Sequence, residues 1–282
     1  MKTHFECYPC FLKQTLSAAK VANLDKQQTK DAIEKTVALL HGLNLELPPP
    51  LTGRDIHNII KEISKKSDPY RDIKKIQTKT ALELLPQLRA DIKTAGDPFE
   101  NAVKFSIAGN AIDLGTTTDI SPDVKESFKS AMKKEIDKNA VNQLKTGIDQ
   151  AERILFLADN AGEIVFDVPL MEYIGKKKLS VAVRSRPIIN DATLKEAKES
   201  KITQKFRVIE NGSDLPGTWY DLCNGQFKHE FDNADLIISK GQGNYETLSS
   251  QNRSIFYLFL VKCAVIAKDT GQKAGTFIIK KL

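Results

Sequence analysis

This 282-residue chain has few of the residues that small or specialised proteins lean on. Four cysteines are too sparse for a disulfide scaffold. The four histidines, His4, His41, His57 and His229, are scattered, with no His-Glu-x-x-His spacing for a zinc protease. His57 lies beside the apolar face of its helix and reads as structural. No Ser/His/Asp arrangement stands at a recognisable spacing. The longest apolar run, at 255–261, has seven residues, against about 20 for a membrane-spanning helix. The first 20 residues hold Lys2, His4, Glu6, Lys13 and Lys20 without a long apolar stretch. No secretory signal is read there, and the expected location is the cytoplasm. Charge of one sign is lacking too: 42 basic and 36 acidic residues leave a mild +6. The densest basic stretch, 61–79, is interleaved with Glu62, Asp68 and Asp72 and has one aromatic, Tyr70. It reads as a solvated helix face, and no nucleic-acid or membrane partner is expected.

What is there is ordinary globular composition, 41% hydrophobic and 28% charged. The length allows one large domain or two modest ones. Residues 1–98 read as helical. A helix is expected over 10–22, and another from Asp25, a capping residue, to His41, ended by Gly42. Pro48-Pro-Pro50 predicts an extended linker. A third helix is expected from Thr52, with Ile56, Ile59, Ile60 and Ile63 on one face. A fourth follows Pro69, with a kink or break at Pro86. Gly96-Asp-Pro98 marks the expected domain boundary. More helical pattern runs to about residue 151, broken at Gly115-Thr-Thr-Thr118. Residues 99–282 are expected to form a Rossmann-like α/β domain with a mostly parallel sheet. Its signature is short apolar runs at 153–158, 179–184, 205–210, 234–239 and 255–261, the early ones separated by helical stretches.

In such sheets ligands bind at the carboxyl ends of the strands, so those ends are the candidate site. The first run closes with Asp159-Asn160-Ala-Gly-Glu163. A carboxylate beside a carboxamide offers hard oxygen ligands for Mg²⁺ or Mn²⁺. A helix cap is the plainer alternative. The second closes with Arg184-Ser-Arg186-Pro-Ile-Ile-Asn-Asp191, whose aspartate can face the same ion from a neighbouring strand; Arg184 and Arg186 are candidate anion contacts. The third is followed by Asn211-Gly-Ser213-Asp-Leu-Pro-Gly217, a turn-rich loop with hydroxyls and amides. The fourth ends in Ser239-Lys240-Gly241-Gln-Gly243-Asn244, a cation plus close-approaching amides that suit phosphate but lack the P-loop spacing. Ala108-Gly-Asn110-Ala-Ile-Asp113 is a candidate second wall. Together these ends point to metal-assisted phosphoryl chemistry. A phosphometabolite-binding module without turnover is the alternative, and a redox protein using Cys7 and Cys10 a further one. Those two cysteines are read three ways: as metal ligands, as a redox pair, or as packed residues at a helix start.

The ordered motifs, with Glu6-Cys-Tyr-Pro-Cys-Phe11 at the start, resemble the damage-control phosphatase family, and the Cys-x-x-Cys resembles its prokaryotic, mostly archaeal branch. The resemblance implies a helical region packed on a Rossmann-like domain, and metal-dependent hydrolysis of small phosphorylated metabolites such as sugar phosphates or nucleotides. It implies that Asp159, Asn160 and Asp191 hold a divalent ion (Mn²⁺, Ni²⁺, Co²⁺ or Mg²⁺) and that Lys240 contacts the substrate phosphate. Glu163, Asn110, Asp113, Arg186, Ser213, Gly241, Gly243 and Asn244 are the expected substrate contacts. A water is the most economical nucleophile, with direct attack by Asp159 the covalent alternative. No oligomeric state is assigned.

Overall fold

The fold comes from a computed structural model that describes residues 1–94, 96–111 and 130–282. Asp113 and the Gly115-Thr118 loop lie outside the described residues. Three helices lead: α1 (Cys7–Val21), α2 (Lys26–His41) and α3 (Pro49–Ser64). Asp25 caps α2 in a capping box with Gln28. α1 starts at Cys7, three residues ahead of expectation. The predicted proline linker is instead the first turn of α3: Pro48 is its cap, and Pro49 and Pro50 lie inside. A first turn has no use for the amide protons that proline lacks, and the fixed φ of proline suits the helix. α4 (Arg71–Thr94) continues as one helix through Pro86. α5 (Pro98–Ala111) and α6 (Lys138–Gln150) precede the sheet.

The sheet has six strands: β1 (Ile154–Leu157), β2 (Leu179–Val183), β3 (Arg207–Glu210), β4 (Leu236–Lys240), β5 (Ile255–Leu260) and β6 (Phe277–Lys281), in the order β3-β2-β1-β4-β5-β6. The first five are parallel, and β6 is an antiparallel edge that sequence patterning missed. Its apolar part is only Phe277-Ile-Ile279 before two lysines, a common way to blunt an exposed edge. Every residue of β1, β2 and β4 is buried. Their unbroken apolar character follows from cover on both faces. On one face Phe156, Val181, Ile238 and Leu258 pack with apolar side chains of α4, α5 and α6, and with α7 (Glu163–Phe166) and α8 (Val168–Ile174). On the other, Leu155, Ile237 and Tyr257 pack with α10 (Gly225–Asn233), α11 (Gln242–Leu248) and α12 (Ala264–Thr270); α9 (Leu194–Glu199) follows β2.

The first core runs across residue 98, since Ala81, Leu88 and Ile92 of α4 share it with the sheet. Two smaller clusters hold α1, α2 and α3 together. The basic stretch 61–79 is not wholly solvated. Lys74 is buried, 2.8 Å from Asp68 and 3.1 Å from Glu196. No helix of the described residues is long and apolar enough to cross a membrane.

Candidate active site

β1 lies between β2 and β4, so the chain leaves it toward one side of the sheet and returns on the other. The crevice outside the carboxyl ends of β1 and β4 is the topological switch point, where open α/β sheets bind ligands. Two segments are pinned together there. The Ala192 amide donates to the Asp159 carbonyl (2.7 Å) and the Ala161 amide to Asn190 (2.8 Å), a short antiparallel bridge that sets Asn160 opposite Asp191. The loop between carries Ile189 at φ +43°, an unusual backbone for a β-branched residue and a mark of stored strain. From β4, Gly241 completes the crevice with φ +83°. A β-carbon on Gly241 would lie 2.0 Å from Asp159 Oδ2, so only glycine fits.

Asp159 accepts from Asn110 Nδ2 (2.9 Å) and Asn160 Nδ2 (3.0 Å). The same two amides donate to Glu163 Oε2, at 2.9 and 3.0 Å. Arg184 Nε donates to Asp191 Oδ2 at 2.8 Å, and its Nη2 stands 3.9 Å from Asp159 Oδ1. The same guanidinium reaches Thr218 and Asn244, both at 3.3 Å. Burial first, and then the neighbouring charges of Asp191 and Glu163, push the Asp159 carboxyl well above the usual carboxylate range. Arg184 and Lys262 oppose that rise without cancelling it.

Deeper in, Lys240 Nζ has three acceptors: Glu163 Oε1 (2.5 Å), Asp167 Oδ1 (2.6 Å) and the Ser106 carbonyl (2.8 Å). Ser106 Oγ also donates to Asp167 Oδ1, at 2.6 Å. Three acceptors use all the protons an ammonium has. The expected phosphate contact of Lys240 therefore finds no free proton in this arrangement; the lysine is wholly buried and anchors Glu163 instead.

The other predicted residues divide in the same way. Asn110, Glu163 and Asn244 are buried in the frame, and Asn244 also donates to the Lys240 carbonyl at 2.7 Å. Ser213 is buried too, its hydroxyl accepting from the Leu215 amide at 3.1 Å and its carbonyl from Ser185 at 3.0 Å. Gly243 lies where a β-carbon would come 2.4 Å from the Pro216 carbonyl, which ties the α11 start to the loop after β3. Arg186 is largely exposed and pairs with Asp214 at 3.3 Å. Sequence reasoning missed Ser106, Asp167 and Thr218, and did not reach the contacts of Arg184 with Asp191 and Asp159. The one available signal was the i, i+4 spacing of Glu163 and Asp167, one helical turn apart.

Among the described residues no group of three or more His, Cys, Asp or Glu is arranged to hold a metal. A set of two carboxylates and an amide, Asp159, Asp191 and Asn160, falls outside that description, so the donor chemistry has to be tested on charge. Asp159, Asp191, Glu163 and Asp167 place four carboxylates in the crevice, against two enclosed cations, Arg184 and Lys240. Asp159, Asn160 and Asp191 are hard oxygen donors, and a dication would offset the like charge that raises the Asp159 carboxyl. The residues present therefore fit a divalent ion.

Cys7 is buried and Cys10 exposed. Burial pushes the Cys7 thiol up, the reverse of an activated thiolate, and Cys7 packs among Phe11, Leu40 and Ile56. His57 is buried against Gln14 at 3.0 Å, its imidazole pushed down to about 3 by burial and then by Lys61.

The damage-control phosphatase ARMT1-like domain matches residues 3–277 of the chain. The chain is 34% identical over 289 residues to an uncharacterized protein of Methanocaldococcus jannaschii, covering 98% of this chain and 94% of that one. It is 30% identical to a damage-control phosphatase of Archaeoglobus fulgidus, over 99% of each. The crystal structure of a DUF89 family protein of Pyrococcus horikoshii superposes with a TM-score of 0.89 at 30% identity, covering 100% of this chain and 99% of that one. A match across nearly the whole length leaves no part of the site outside the likeness: this chain belongs to the damage-control phosphatase ARMT1-like family.

Proposed function

We propose that the protein, a phosphatase by its family, hydrolyses small phosphomonoesters with a divalent ion held by Asp159, Asn160 and Asp191. The observation that carries this reading is the crowding of Asp159 and Asp191 at the switch point, pinned by the bridge that sets Asn160 opposite Asp191. A bound dication supplies charge compensation to the phosphoryl oxygens as the transition state forms. The rest is work for the chain. Arg184 holds Asp191 by Nε and keeps it turned toward Asp159. Asn110 and Asn160 bridge Asp159 to Glu163, and Lys240 fixes Glu163 from below. That shell keeps the ligand oxygens in one geometry through turnover. The backbone amides of Gly243 and Asn244, in the first turn of α11, orient the phosphate, while the Gly241 amide is held by the Leu258 carbonyl at 3.1 Å. The Arg186 guanidinium, exposed at the crevice rim, takes up the remainder of the substrate. An all-oxygen donor set suits Mg²⁺ or Mn²⁺, with Co²⁺ and Ni²⁺ as competitors.

The test is hydrolysis of p-nitrophenyl phosphate, sugar phosphates and nucleotides with Mg²⁺, Mn²⁺, Co²⁺, Ni²⁺ or EDTA. Metal-dependent turnover is expected, with Asp159→Ala lowering kcat by about a thousandfold, the range typical for a lost charge-stabilising group. Folded protein without turnover on any phosphate, with any of the four metals, would sink the reading and leave a binding module.

A further inference from the structure

α3 lays two cations against the rim of the crevice. Arg54 Nε lies 3.1 Å from Asp214 Oδ1, and Arg186 Nη2 approaches the same oxygen at 3.3 Å. Lys61, two turns along α3, donates to the Pro187 carbonyl at 2.6 Å. One carboxylate thus gathers two guanidiniums, with an ammonium beside them. Asp55 is exposed, and Asp68, the further carboxylate that faces Lys61, is already engaged by the buried Lys74 at 2.8 Å. Although burial opposes it, Arg54 and then Arg186 hold the Asp214 carboxyl below the usual range, so it stays charged and fixes both guanidiniums. The group is not saturated. Arg54 Nε is buried and has no hydrogen-bond partner, because its approach to Asp214 is off the line of the N–H bond. The Arg54 side chain nevertheless keeps 30% of its surface exposed and that of Arg186 63%, so both guanidiniums stay open to an anion from solvent.

Two chain paths tie this group to the site. Arg186 follows Arg184, the partner of Asp191, by two residues. Asp214 precedes Pro216 by two, and the Pro216 carbonyl packs on Gly243 at the α11 start, next to the glycine that touches Asp159. The cations therefore stand on or against the loops after β2 and β3, at the same edge of the sheet as the proposed metal ligands.

We propose that Arg54 and Lys61 select substrates with a second anionic group, a carboxylate or a further phosphate, beyond the scissile phosphate. This rests on the hydrolase reading above and adds a substrate class to it. A charge-assisted contact in a half-buried rim is strong enough to discriminate a carboxylate from an alcohol of the same shape.

The experiment compares matched pairs that differ only in that group: 6-phosphogluconate against sorbitol 6-phosphate, and 3-phosphoglycerate against glycerol 3-phosphate. The wild type is expected to favour the carboxylate member of at least one pair by about tenfold or more in kcat/KM, mostly through KM. Arg54→Ala and Lys61→Ala should each collapse that ratio, and Arg54→Lys should restore part of it, which a general packing defect would not do. A wild-type ratio near one, or a ratio that survives both alanine variants, overturns the inference. Calorimetric binding of the same pairs keeps the two claims apart. Binding that discriminates without turnover supports this inference and removes the hydrolase reading; turnover without discrimination does the reverse.

Discussion

The two halves of the crevice each set two carboxylates against one cation, and differ in how tightly that cation holds them. Around Lys240, two carboxylates and a carbonyl meet one ammonium, and every proton it has is taken. Around Arg184, two carboxylates share one guanidinium unequally: Asp191 is held at 2.8 Å, while Asp159 stands at 3.9 Å with its carboxyl pushed up by burial and like charge. Glu163 belongs to both halves, since it accepts from Lys240 and from the two amides that hold Asp159. In the first half the ammonium has nothing left to donate, although Asp167 Oδ2 is buried without a hydrogen-bond partner. The unsaturated half is the one with something left to bind. A buried ion pair is weak evidence for stability in itself, so this asymmetry is better read as preorganisation, with a locked base under a reactive edge.

The largest effect should come from breaking the saturated half. Lys240→Met leaves Glu163 and Asp167 buried without a counter-charge. It is expected to cost about 3–5 kcal/mol in chemical denaturation, enough to unfold a marginal domain. Arg184→Gln strips one tightly held carboxylate, Asp191, where Lys240→Met strips two, so its cost should fall near the lower end, about 3 kcal/mol. Here the halves should part: saturating divalent ion should recover the Arg184→Gln loss and leave the Lys240→Met loss in place. Equal recovery in both variants would erase the distinction.

The smallest effect is a pH dependence of the metal-free protein. The folded carboxyl of Asp159 sits above its unfolded value. The stability this gives is fully present below the unfolded pKa and is lost as pH rises through the folded one. Melting scans in EDTA should therefore show the wild type losing ground to Asp159→Asn from acid toward neutral pH. Parallel curves for the two proteins would show that the crowding is not felt.

Much of this was legible in the chain. The strand ends announce themselves because continuous apolar runs stop at Asp159, Arg184 and Lys240, and parallel sheets place their chemistry there. What patterning could not reach is pairing across the chain. Lys240 finds Asp167 at a separation of 73 residues and the Ser106 carbonyl at 134. A lysine beside glycines reads as an anion contact until the carboxylates beneath it are seen. Arg184 likewise has partners that patterning cannot reach, Thr218 at 34 residues and Asn244 at 60. The proline run at the start of α3 failed locally instead: three prolines signal a break in mid-helix, yet a start when they fall at the cap and first turn.

The most direct measurement is a calorimetric titration of Mn²⁺ into metal-free wild type, Asp159→Asn and Asp167→Asn. The asymmetry predicts one ion per chain for the wild type, no measurable binding by Asp159→Asn, and binding within about tenfold of wild type for Asp167→Asn, a difference of about 1.4 kcal/mol or less. Binding that survives Asp159→Asn, or that both variants lose alike, would contradict it.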